Sequence, residues 1–66
     1  MRQSDSVLLS ERSVRSAAEK MLREYGGQAW AMADVRASSL AAEGFESFAA
    51  TWQRIRDTIG IIQSDM

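Results

Sequence analysis

The chain of 66 residues contains no cysteine, no histidine and no proline. Without cysteine there is no disulfide staple and no thiolate zinc site. Without histidine, only carboxylates could hold a metal such as calcium or magnesium, and no Asp-rich loop of the calcium-binding kind occurs. The sequence therefore gives no reason to expect a cofactor. Without proline nothing locks the backbone out of a helix, and glycine occurs only at 26, 27, 44 and 60. Apolar runs are a few residues long, far short of the ~20 that would span a membrane. The opening stretch MRQSDSVLLSER lacks a long apolar core and a small-residue cleavage site, so it does not read as a secretory signal. A cytoplasmic protein of bacterial type is expected. Charge of one sign is also lacking: eight basic and nine acidic residues leave a net charge of -1. A broad positive field for nucleic acid is not expected.

A chain this short buries only roughly 60% of its unfolded surface, and natural proteins of the size usually add a staple. With disulfides and thiolate zinc excluded, association with another chain is the staple that remains.

What is present is helical. Ala, Arg, Glu, Met and Leu are frequent, and β-branched residues are sparse before residue 51. The glycines at 26, 27 and 44 divide the chain into three segments, expected as helices over 10–25, 28–43 and 45–63. In the first, Ser10 is a candidate N-cap, with Leu9 and Val14 at the two positions of a hydrophobic staple. Val14, Ala17, Ala18, Met21, Leu22 and Tyr25 then follow the i, i+3, i+4, i+7, i+8, i+11 spacing of one helix face. Gly26-Gly27 offers a left-handed stop. In the second, Trp30, Ala33, Ala37, Leu40 and Ala41 share a face with Ala29 at its edge, while Met32 and Val35 lie on the other side. In the third, Phe45, Phe48, Trp52, Ile55, Ile59 and Ile62 repeat with spacings 3, 4, 3, 4, 3, which is an a/d seam. Gly60 falls on its polar side. The ends, MRQSD and SDM, read as frayed. Short connections favour antiparallel neighbours, so the expected fold is all-α, a single domain forming a three-helix up-down-up bundle that self-associates. Its expected core is Val14, Ala18, Met21, Leu22, Tyr25, Trp30, Ala33, Ala37, Leu40, Phe48, Trp52, Ile55 and Ile59.

No constellation for catalysis assembles from the pattern. A serine nucleophile needs a base in reach, and only Lys20 could serve. The carboxylates fall on polar faces, where nothing separates their pKa values for acid–base work. YGGQAW places two glycines before a helix, but with no lysine or preceding strand it reads as a cap rather than an anion site. An enzyme is not expected. Arg12, Arg15, Lys20 and Arg23 on the outer face of the first helix could meet an acidic partner or nucleic acid. The alternating Glu11, Arg15, Glu19 and Arg23, four apart, read instead as a ladder of surface ion pairs worth about 0.2–0.5 kcal/mol each. Arg54 and Arg56 beside Trp52 could support base stacking, but Trp52 sits on the seam and reads as core.

The stretches AAEKMLREYGGQAWAMADVRASSLAAEG and ATWQRIRDTIGIIQ together resemble a group of small uncharacterised proteins of alphaproteobacteria. That resemblance rests on Met21, Leu22, Tyr25, Gly26, Ala29, Ala33, Arg36, Ala37, Leu40, Gly44, Trp52, Arg54, Ile55, Ile59, Ile62 and Gln63, over residues 17 to 63. It departs at Gly44-Phe45, where the group favours Gly-Asp. It implies an all-helical fold and no activity, cofactor or catalytic residue.

The functional expectation is a small protein-interaction module that forms a homodimer. Met32, Val35, Phe45 and Ile61 are the candidate self-association residues, because a monomeric bundle would leave them in water. The alternative is a nucleic-acid-binding regulator that uses the basic face of the first helix.

Overall fold

The computed structural model describes residues 10–65. These residues form α1 (Glu11–Tyr25), a 3-10 turn (Gly26–Gln28), α2 (Ala29–Ala42) and α3 (Glu46–Ser64), with no strand among them. The body is flat, 36 × 28 × 17 Å. None of these helices is long and apolar enough to cross a membrane.

Helix α1 starts where its sequence dictates. Ser10 is extended (φ -70°, ψ 167°) and its hydroxyl accepts from the Ser13 amide at 3.1 Å, satisfying one of the orphan N–H groups of the first turn. Leu9, the other half of the expected staple, lies outside the described residues, as do MRQSD and Met66. At the far end Ser64 is still within α3, so the expected fraying of SDM does not include it.

The first connection differs from the expected reversal. Gly26 adopts φ 55° and its amide donates to the Leu22 carbonyl. After this one non-helical residue (ψ -127°) the chain runs through the 3-10 turn directly into α2. Residues 11–42 are therefore one long bent helical arm. Of the three helix pairs, α1 and α2 meet least, while α3 packs back mainly on α2 and partly on α1. Three separate, equally packed helices are not what forms. A glycine pair permits a reversal without forcing one, and a 3-10 turn satisfies the same carbonyls.

The second connection is a true reversal. Gly44 has φ 91°, its amide donates to Ala41 O at 3.1 Å, and the Phe45 amide donates to Leu40 O at 2.9 Å. This pair of bonds is the Schellman arrangement, in which a glycine takes the positive φ that an L side chain resists.

The core follows the small residues. Val14, Ala18, Ala29, Ala33, Ile55 and Ile59 form one buried cluster, with Ala17, Met21, Leu22, Trp52 and Ile62 packed half-buried around it. Ala37 and Ala49 are buried too. Ala29, Ala33 and Ala37 repeat every four residues, so α2 presents a smooth ridge on which α3 can lie close. Three residues expected in the core are exposed: Tyr25 at 41%, Trp30 at 42% and Phe48 at 58%. Leu40 is half-buried. Thr51 is buried, and its hydroxyl donates to the Ser47 carbonyl at 3.1 Å, which removes the cost of burying it.

Candidate interaction surface

Helices α2 and α3 are antiparallel, and two arginines fasten the flanks of their alanine-lined contact. On one flank Arg56 donates to the Asp34 carboxylate at 2.8 Å and to Asp57 at 3.0 Å, while its guanidinium lies 5.5 Å from the centre of the Trp30 ring. The bond to Asp34, followed by that to Asp57, raises the Arg56 pKa above its ordinary value. Beside it, Gly60 leaves room for the indole: a methyl there would stand 3.5 Å from Trp30 Cδ1. Trp30 is thus held on two sides and open on its third, which explains its exposure. On the other flank the Arg36 guanidinium sits 5.1 Å from the centre of the Trp52 ring.

Where α1 meets α3 decides what stays uncovered. Ala17, Met21 and Tyr25 border a groove with Trp52 and Arg36. Glu11, Arg12 and Arg15 border another with Thr58 and Ile61. Glu11 also pairs with Arg54 at 3.5 Å. These meetings fall on the stretch of α3 from Trp52 onward. Phe48 lies one turn earlier, so the seam is closed at Ile55, Ile59 and Ile62 and open at Phe45 and Phe48. The two exposed rings lean on one another, with centroids 6.4 Å apart and planes tilted by 55°. Half-buried Leu40 sits beside them across the Gly44 turn. The result is an aromatic face running from Phe45 through Phe48 to Trp52, bordered on α2 by Leu40 and Arg36.

The four residues expected to mediate self-association are all exposed: Met32 at 39%, Val35 at 63%, Phe45 at 50% and Ile61 at 61%. They do not share one patch. Phe45 and Ile61 stand at opposite ends of α3, about 24 Å apart along its axis. Ile61 borders the N-terminal turn of α1, while Val35 projects from the side of α2 opposite its buried alanines. Phe45 belongs to the open aromatic face, and Met32, four positions before Arg36, lies on the side of α2 that borders it. Phe48, which the seam pattern placed in the core, is its centre.

The cations of α1 are divided as well. Arg12 and Arg15 border the Ile61 groove, whereas Lys20 borders the Trp52 groove beside Glu24. Arg15 is engaged by Glu19 at 3.2 Å, and Glu11 turns to Arg54 rather than up the helix. Arg23 stands in the last turn of α1, where a cation complements the helix dipole. All four cations stay exposed, with Glu19 interleaved among them on the side of α1 away from Val14 and Ala18. Among the described residues no three His, Cys, Asp or Glu side chains are grouped to hold a metal ion.

In comparison with known proteins, no family model, no curated protein and no solved structure matches the chain.

Proposed function

We propose that this chain is a small helical protein-interaction module that works as a homodimer, and that pairing of two chains completes the bundle that one chain leaves open. The observation that carries the reading is the half-covered seam of α3, where Phe45 and Phe48 remain 50% and 58% exposed. Large aromatic side chains clustered on so small a surface mark an association site more often than a solvated face. A two-fold pair is the commonest way to bury such a patch. The core gives the same direction: four of its six central residues are alanine or valine on α1 and α2, and no disulfide reinforces them. A cytoplasmic setting fits a chain without cysteine. The alternative reading is a nucleic-acid-binding regulator that uses the exposed cations of α1, and the net charge of -1 weighs against it.

Light scattering across a hundredfold dilution tests this reading. The expected mass is two chains of 7.3 kDa each, giving way to one chain only at the lowest concentrations. A mass of one chain at every concentration would remove the proposal.

A further inference from the structure

The geometry points to the specific surface and register of that pairing: a second copy of the chain seats on the Phe45–Phe48–Trp52 face about a two-fold axis beside Leu40 and Phe48, with Glu43 of each copy meeting Arg36 of the other. This rests on the homodimer reading and adds to it which face is used and what makes that face fit itself.

The argument begins with the side of α2 that borders the open face. Arg36 is fixed there by its stacking on Trp52. Leu40 and Glu43 follow four and seven positions later, and a helix returns to the same side at those intervals. Glu43 is the last helical-geometry residue before the Gly44 turn and is exposed. The border therefore runs cation, apolar, anion, with the charges about 10 Å apart and Leu40 between them. A two-fold axis passing at Leu40 perpendicular to α2 runs the two copies of the helix antiparallel and lays the anion of one copy against the cation of the other, twice. Such a pattern is self-complementary, which an isologous contact requires and a contact with an unrelated partner does not.

The apolar part of the face obeys the same axis. Phe48 is level with Leu40, because Arg36 stacks on Trp52 in the antiparallel pair and Leu40 and Phe48 each lie four positions nearer the Gly44 reversal. Two copies of Phe48 then meet near the axis, flanked by the two Phe45 rings and the open edges of Trp52. Aromatic anchors at the centre with charges at the rim are the usual anatomy of a specific interface. The other exposed apolar groups lack this arrangement. Ile61 borders a groove with Glu11, Arg12 and Arg15, at the other end of α3 from the Phe45–Phe48 pair.

Sedimentation equilibrium on four variants tests the assignment, with circular dichroism to check that each is folded. Phe48→Glu is expected to weaken the dimer by about a hundredfold or more. Glu43→Arg alone is expected to weaken it by about tenfold, and mixing it with Arg36→Glu should restore a heterodimer tighter than either variant pairs with itself. Val35→Glu, on the side of α2 opposite its buried alanines, should leave the dimer as it is. A wild-type dimer that survives Phe48→Glu, or one abolished by Val35→Glu, would overturn the face while leaving the homodimer standing. A dimer that depends on Phe48 but shows no recovery on mixing would overturn the register. A single-chain mass for the wild type would overturn both this inference and the function it rests on.

Discussion

Gly60 and Arg56 show how single residues set the contact between α2 and α3. Gly60 lies inside a helix, where glycine costs about 1 kcal/mol against alanine, yet it faces the Trp30 edge rather than open solvent. A methyl at 3.5 Å from Trp30 Cδ1 is an ordinary contact. Gly60→Ala should therefore gain both helix propensity and a packing partner, and raise the melting temperature by several degrees for a domain this small. A fall in melting temperature would show that the indole needs more room than this geometry gives it. Arg56 combines a forked bond to two carboxylates with stacking on Trp30, which lysine cannot reproduce. Arg56→Lys should lower the melting temperature measurably, whereas Arg12→Lys should not, and equal effects would remove the clamp. Because Asp34 and then Asp57 raise the Arg56 pKa, its contribution is complete below the ordinary guanidinium range and is lost only as pH rises through the raised value. No pH switch near neutrality follows from it.

At the scale of elements, the helices were legible in the sequence and the coverage of their faces was not. The Ser10 cap, the stripe from Val14 to Leu22 and the Gly44 stop each specify a local structure with its own hydrogen bonds, and local bonds can be read from local residues. Phe48 is different. Its position on the a/d seam is a property of α3, but its burial depends on where α1 crosses, and that is set by the Gly26-Gly27 connection. The reversal expected of that pair is instead a bend, since glycine allows either course. Ala29 and Ala49 were missed as core because small residues give little hydrophobic signal, although a ridge of alanines is what lets two helices approach closely. The two connections should consequently respond differently to substitution. Gly44→Ala places a side chain at φ 91°, costing about 1–3 kcal/mol in backbone strain although nothing lies within 4 Å of the new methyl. Gly27→Ala, at negative φ and in open space, should be neutral or stabilising. Chemical denaturation of the pair measures this, and equal losses would mean that the Gly44 turn can relax.

The whole molecule is a flat body with its seam closed at one end and open at the other, and that asymmetry is the basis for reading it as half of a dimer. The chain offers an unusually clean means of locating the partner, since it has no cysteine of its own. A single Leu40→Cys substitution puts the only thiol beside the proposed axis and keeps the Phe45 and Phe48 anchors, so two copies can bridge there. Val35→Cys puts it on the side of α2 opposite the buried alanines, which the pairing leaves free. Under mild oxidation at a fixed protein concentration, the first variant should form a covalent dimer rapidly and nearly completely, and the second only slowly. A Leu40→Cys chain that stays monomeric, or cross-links no faster than Val35→Cys, would contradict the closing of the seam by a second copy.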